Sequence, residues 1–462
     1  MALNLQVRVA CARTETVDPL RSSVVSWSRQ HAAPLWGALF IVISGMAVSL
    51  LWPIVGHGGG WLTPADLWGT FRDAHLVGWG GEADIYQART GYLSPPAFPV
   101  LLAPVAMLSG ALHLSESFPF YLHHPTAWLL LGPVELACGA WVLFPIDALA
   151  RRLGVPRGRR LGAMWASAVL AVPLLVIWGH PEDLLALGCT LYALLAAFDA
   201  RWTRSAALLG VGLAFQPLVV LCAPLLIARM PWRTWARAAG IAVLPSALLL
   251  IAPLLHAWRT TLHAIVDQPT YPRIGRATPW VALAPIIQRA HALDTHAAAR
   301  TAAAGRLLGA TTEVTAGGPG RLIAIGIALA IGLVVALRGT SDKTLVALAA
   351  LCLALRCVFE SVMFPYYVVP ALLVGVVAAA GVSRRRLVSS TVAAGACASV
   401  AYLHAGPWTY YLAVTALLLG AAALGAPGRK GAPEGRTRVL EEGTTGATGC
   451  AQAKDLLAEP SV

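Results

Sequence analysis

The sequence predicts an all-α polytopic membrane protein: a bundle of about 11–13 membrane segments, with a long first extracytoplasmic loop and a re-entrant pair. Three observations carry that prediction. The 462 residues are 57% hydrophobic and 12% charged, where a soluble chain is about 45–50% apolar and about a quarter charged. Apolar runs of about 17–23 residues recur along the chain, each long enough to cross the roughly 30 Å hydrocarbon core as a helix. The short connections between them alternate between arginine-rich and arginine-free.

Taken in chain order, residues 1–34 are a polar, arginine-containing cytoplasmic tail, too long before the first apolar run for a cleaved signal. Apolar spans are expected at 35–55, 95–113, 126–148, 162–178, 183–200, 237–256, 321–337, 344–359, 362–382, 387–403 and 408–425. Arg151 to Arg160, Arg201 and Arg204, Arg229 to Arg237, Arg338 with Lys343, and Arg384 to Arg386 mark one side. The turns at Gly179–Asp183, Phe359–Ser361 and His404–Trp408 contain no Lys or Arg. By the positive-inside rule the basic side is cytoplasmic. Both termini of a plasma-membrane protein then lie inside, and loops at about 56–94 and 257–320 lie outside.

Two segments resist alternation. Residues 205–228 are apolar yet flanked on both sides by arginines of the inner face. Twelve residues per arm reach only about 18 Å, so a re-entrant pair broken at Gln216-Pro217 is expected, covered by protein or water. Between the outer loop and Arg151 the crossings must be odd while two apolar runs are present, so one run within 95–124 is interfacial or re-entrant. Residues 35–425 thus form the membrane domain. From 426 the composition turns Gly-, Thr- and charge-rich, the signature of a disordered cytoplasmic tail.

The net charge of +12 follows this ladder and is an inner-face topology signal rather than a surface for nucleic acid. Six of the eight cysteines lie in apolar runs, with no CxxC, which argues against a disulfide framework or a zinc site. There is no Walker A sequence and no GxGxxG before a helix, which disfavours nucleotide chemistry.

Sorting by side leaves carboxylates on the outer face: Asp66, Asp73, Glu82 and Asp84 among tryptophans and tyrosines, Glu182 and Asp183 after Gly179-His180-Pro181, and Glu360. Ionisable groups near membrane depth are costly and tend to be functional. Each also has a structural reading. Asp66, after Thr63-Pro64, could cap an interfacial helix. Glu182 and Asp183 fit a helix N-terminus, and Glu360 with Arg356 fits an i, i+4 ion pair. Asp147 among arginines reads as structural. Glu135, inside an apolar run, has no such ready explanation.

Three stretches resemble the GT-C superfamily of polytopic glycosyltransferases, most of all its actinobacterial polyprenyl-phosphate-mannose-dependent mannosyltransferases. The first is a single span followed by a long loop with an early acid (Asp66), then Ile85-Tyr86 and Tyr92-Leu93-Ser94-Pro95-Pro96. The second is Gly179-His180, a short basic loop at Arg201–Arg204, and Gly210-Val211-Gly212-Leu213-Ala214-Phe215-Gln216-Pro217. The third is Glu360-Ser361 through Tyr366, Tyr367 and Pro370. The chain departs from the family pattern in having His-Pro-Glu-Asp where a Gln-Val-Asn-like turn is usual, Gln216 in place of a lysine, and tyrosines in the late turn.

The resemblance implies transfer of a sugar, mannose by analogy, from a polyprenyl-phosphate donor to a lipid or glycan acceptor at the outer membrane face. Such a reaction needs a carboxylate base near the acceptor hydroxyl and cations or dipoles for the departing phosphate. Asp66 is then the first choice of base, with Asp84 and Asp73 as alternates. Arg273, Arg276 and Arg356 are candidate phosphate ligands, and His180, Glu182, Asp183, Gln216 and Glu360 are further substrate-binding candidates. No resident cofactor is expected; a divalent ion on Glu182, Asp183 and a loop aspartate is the minor alternative. The rival reading is a non-catalytic transporter or flippase for a lipid-linked or anionic solute.

Overall fold

The computed structural model describes residues 31–55, 59–87, 92–116, 124–269, 277–291, 311–403 and 407–427. The expected tails before residue 31 and after residue 427 lie outside the described residues, as do Arg273 and Arg276.

The described residues are almost wholly helical. A long apolar helix, α1 (Ala32–Val55), leads to α2 (Ala65–Gly78), whose buried residues Leu67, Trp68, Phe71 and Ala74 recur at helical spacing. That face packs against Phe98, Leu102 and Ala106 of α3 (Ala97–Ala111) and Trp128 and Leu131 of α4 (Trp128–Ala140). Ser49 ties these parts together: its hydroxyl donates to the Leu62 carbonyl at 2.6 Å and accepts the Trp128 indole N–H at 2.7 Å. The start of α2 is thereby fixed against both α1 and α4.

The chain continues through α5 (Leu143–Arg152), α6 (Arg157–Pro173) with a π-helical last turn over Leu174–Trp178, and α7 (Pro181–Phe198). Next come α8 (Trp202–Phe215), a 3₁₀ turn at Pro217–Cys222, α9 (Ala223–Ile227) and α10 (Trp235–Leu262). The last part holds α11 (Gly320–Arg338), α12 (Asp342–Phe359), α13 (Val369–Val382), α14 (Arg384–Tyr402) and α15 (Pro407–Leu424).

Two helices form the interior. α13 is buried from Val369 to Gly381 and packs against α6, α12, α14 and α15. α7 is buried along almost its whole length and packs against α4, α5 and α8. Beyond the acidic first turn of α7, both are apolar on nearly every side, as befits a helix surrounded by others. By contrast α1, α10 and α11 leave Ile43, Leu51, Leu248, Leu255, Leu322 and Leu333 exposed. Such wide apolar faces suit lipid rather than water. Among the described residues seven helices are long and apolar enough to cross a membrane.

That number is below the eleven to thirteen segments expected, and the reasons are local. α3, at 15 residues, reaches about 22 Å, short of the roughly 30 Å core. α12 and α14 have the length, but Asp342, Lys343 and Arg356 in one and Arg384 to Arg386 in the other lower their hydropathy. The chain does break at Gln216, which is extended (φ −151°, ψ 116°), before Pro217. Proline cannot continue the α8 hydrogen-bond ladder and disfavours helical backbone in the residue before it.

Two expectations about the second long loop are corrected. The helix expected at 237–256 runs on through Leu262, bent at Ala257 (φ −144°, ψ 61°), and a π-helical turn reaches Asp267. The bend follows Pro253, whose missing N–H leaves the ladder open. The loop also holds a short antiparallel pair, β1 (Ile286–His291) with β2 (Thr311–Thr315), an addition to an otherwise helical architecture.

Candidate active site

The polar site assembles where α2, α6, α7, α8 and α12 end or begin. Its first fixed point is Gly179, which terminates the π-helical turn of α6 with φ +68°, a conformation that favours glycine. A Cβ there would lie 2.7 Å from Pro64 and Leu67, so only glycine lets this turn touch the start of α2. Pro181 then opens α7, so His180 stands between two helix starts, with Asp66 on one and Glu182 on the other.

His180 joins them. Its Nε2 lies 3.2 Å from Asp66 Oδ2, and its Nδ1 lies 2.7 Å from Glu182 Oε1. The imidazole stacks on the Tyr366 ring at 4.0 Å between centroids, tilted by 20°. Burial works against the charged imidazole, but the Glu182 carboxylate and the hydrogen bonds to Asp66 and Glu182 outweigh it. His180 therefore titrates well above the ordinary histidine range. The three side chains differ in access: Asp66 is 55% exposed, His180 17% and Glu182 7%. Asp66 makes no capping bond at its helix start, where Pro64 is the cap residue, so the capping reading of Asp66 is corrected: its bond goes to His180.

Behind this chain lie more acids. Asp183 accepts the Gln216 amide N–H at 2.7 Å, which ties the chain break to the start of α7. Glu135 of α4 is fully buried and within electrostatic reach of Glu182 and His180. Among the described residues, both Glu135 carboxylate oxygens, Glu182 Oε2 and Asp183 Oδ2 are buried without a hydrogen-bond partner. Burying such groups unpaired costs free energy, which argues that protons or a ligand complete the cluster.

Cations stand on the other flank. Arg356 lies 3.7 Å above the Tyr367 ring, faces Asp183 electrostatically, and has a buried Nη1 with no partner among the described residues. Its i, i+4 contact with Glu360 is loose, at 3.9 Å. The expected i, i+4 ion pair is thus present but is not the closest one: Glu360, 3% exposed, is held chiefly by Arg321, whose Nε donates to Glu360 Oε1 and Oε2 at 2.9 and 3.0 Å. Arg321 arrives there because Gly320 packs against the Phe359 carbonyl with no room for a Cβ. The end of α12 is further held by Trp280 and Tyr411, which both donate to the Val358 carbonyl, at 2.7 and 2.8 Å.

Of the sequence-designated residues, Asp66, His180, Glu182, Asp183, Gln216, Arg356 and Glu360 thus meet in one linked network. Asp73 is buried on α2, within electrostatic reach of Tyr86 and Tyr92. Tyr92 also senses Glu182, and burial, with these acids, raises both phenols above their usual range. Asp84 goes elsewhere: it is half-exposed and faces His256 of α10 at 3.1 Å. Arg321 escaped sequence reading, although it is an arginine at the helix end where the ladder otherwise carries few. Among the described residues no group of three or more His, Cys, Asp or Glu is arranged to hold a metal ion. No family model matches the chain, and no curated protein matches it.

Proposed function

We propose that this chain is an integral membrane glycosyltransferase, a hexosyltransferase that moves a sugar, mannose by resemblance, from a polyprenyl-phosphate donor. The acceptor is a lipid or glycan at the extracytoplasmic face. The single observation that carries the reading is Asp66: a carboxylate 55% exposed whose Oδ2 is held by a half-buried His180. That is what a general base needs, namely access to an acceptor hydroxyl and a fixed orientation.

In the reaction Asp66 takes the hydroxyl proton while the acceptor oxygen bonds to the anomeric carbon. The bond from that carbon to the phosphate oxygen breaks, and the polyprenyl phosphate leaves with the electron pair. His180, bonded to Asp66 on one side and Glu182 on the other, fixes the orientation of the Asp66 carboxylate. Arg356, whose buried Nη1 has no partner among the described residues, supplies positive charge for the departing phosphate. The break at Gln216-Pro217, tied to Asp183, supports a re-entrant arm beside the site, with the arginine-rich helix ends on the cytoplasmic side.

Buried Glu135, without a hydrogen-bond partner among the described residues, favours a second reading, since acids inside membrane bundles also serve proton- or solute-coupled transport. One experiment separates the two. Purified protein in proteoliposomes is given radiolabelled polyprenyl-phosphate-mannose and a membrane acceptor extract, and both transfer and flux are measured. Transfer by the wild type, reduced about 10²–10⁴-fold in Asp66→Asn and within about threefold of normal in Asp84→Asn, is expected for the base assignment. Flux without transfer would establish the transporter, and equal transfer by Asp66→Asn would remove Asp66 as the base.

A further inference from the structure

We propose that a cavity at the arginine-rich end of α7, α8 and α10 binds the headgroup of an anionic glycerophospholipid, a site separate from the carboxylate network. The cavity, about 400 Å³, is lined by Arg201, Trp202, Arg204, Thr234, Arg237 and Ile241, among others. That volume lies in the range of small-molecule sites. Arg201 enters as the cap residue of α8, Arg204 from the first turn of α8, and Arg237 from the first turn of α10.

The charge in this cavity is not consumed by the protein. No carboxylate lines the cavity, and acids at the same helix ends are engaged with other arginines: Asp199 faces Arg152 at 3.8 Å, Asp342 faces Arg152 and Arg229 at 3.6 and 3.1 Å, and Asp147 faces Arg151 and Arg160 at 3.1 and 2.9 Å. None of Arg201, Arg204 and Arg237 pairs with a carboxylate among the described residues. Three guanidiniums around one recess suit a phosphodiester, which accepts several N–H donors at once. Basic recesses between membrane helices are suited to anionic headgroups.

What distinguishes a lipid from a free anion is the surface that leads out of the cavity. Arg237, Ile241, Leu244, Leu248, Ile251 and Leu255 follow each other at alternating spacings of four and three, one face of α10. Arg237 and Ile241 line the cavity, and Leu244, Leu248, Ile251 and Leu255 are exposed. From Arg237 to Leu248 the helix rises about 16 Å, close to half of the roughly 30 Å hydrocarbon thickness. A headgroup at Arg237 would therefore lay its acyl chains along the exposed leucines. Trp232 and Trp235, exposed beside the start of α10, fit the interfacial level that tryptophan favours.

The test uses the full chain, released from vesicles of equal phosphatidylglycerol and phosphatidylcholine and examined by native mass spectrometry for retained lipid. The wild type is expected to retain phosphatidylglycerol preferentially. With about fivefold in affinity for each arginine that meets the headgroup directly, Arg201→Gln/Arg204→Gln/Arg237→Gln together lose on the order of a hundredfold. Removing the same charge at exposed positions elsewhere, in Arg157→Gln/Arg384→Gln/Arg385→Gln, is expected to cost less than about threefold if the cavity matters. Equal losses in the two triple variants, or equal retention of phosphatidylcholine by the wild type, would overturn the site. Full displacement by millimolar glycerol 3-phosphate would overturn the lipid assignment in favour of a soluble anion. If the glutamine triple variant does not fold, the single Arg204→Gln carries the test with a fivefold loss, rescued by Arg204→Lys.

Discussion

At the start of α12, Asp342 faces two arginines, Arg152 and Arg229; nearby, the two oxygens of Asp147 face Arg151 and Arg160 at 3.1 and 2.9 Å. At the other end of α12 and the start of α7 the balance reverses. There Asp66, Glu135, Glu182, Asp183 and Glu360 meet His180, Arg321 and Arg356, and several buried carboxylate oxygens have no partner among the described residues. At the first end Asp147 and Asp342 each stand between two arginines, so the charge of each acid is offset within the protein even though Asp147 Oδ1 and Arg160 Nε meet without hydrogen-bond geometry. At the second end the protein leaves part of the cost of burial standing. A fold tolerates such residual cost where something else completes the cluster, which is why the acid-rich end and not the basic one is the candidate site.

Three changes would break or sharpen that contrast, from the largest effect down. Arg321→Met removes the closer partner of a carboxylate that is 3% exposed and is expected to destabilise the fold by about 3–5 kcal/mol. Thermal unfolding in detergent checks this, and a loss under about 1 kcal/mol would mean that Arg356 alone can neutralise Glu360. Gly179→Ala forces a Cβ against Pro64 and Leu67 at a positive φ. About 1–2 kcal/mol is expected from the backbone and about 1–3 from overpacking, with the His180–Asp66 contact opened. Sugar transfer falling further than stability would confirm that the turn positions the base; unchanged transfer would detach Gly179 from it.

The smallest effect is a pH dependence. His180 titrates well above its unfolded value because the Glu182 and Asp66 carboxylates overcome the effect of burial. Its contribution to stability is thus fully present below an unfolded pKa of about 6.5 and is lost as pH rises through the higher folded value. Unfolding temperature followed from about pH 6 upward should therefore fall more steeply in the wild type than in His180→Gln. Parallel slopes would show that the imidazole is not charged in the fold.

Much of this arrangement was legible in the residues. The alternation of apolar runs and arginine-rich turns, the break at Gln216-Pro217 and the oddity of Glu135 are local signals, set by hydropathy, by the missing proline N–H and by the cost of a buried charge. Sorting the acids by side had already put Asp66 and Glu360 on the outer face, and the resemblance made Asp66 the first choice of base among them. Asp84 shows the limit of such signals: it is as acidic and as close to aromatics as Asp66, yet it faces His256. Composition could not rank the two, because a carboxylate's role depends on which distant helix end stands opposite it.

By itself, the sequence determined the solvent that this protein faces, the helical building blocks and the two chemically distinct ends, since these follow from burial energies summed over short windows. Tertiary structure alone decided the partners. Gly179 and Gly320, distant from each other in the chain, allow the two close approaches that bring His180 to Asp66 and Arg321 to Glu360. Those pairings arise from contacts between residues 39 and 114 positions apart, and electrostatics and packing at that range are properties of the assembled bundle.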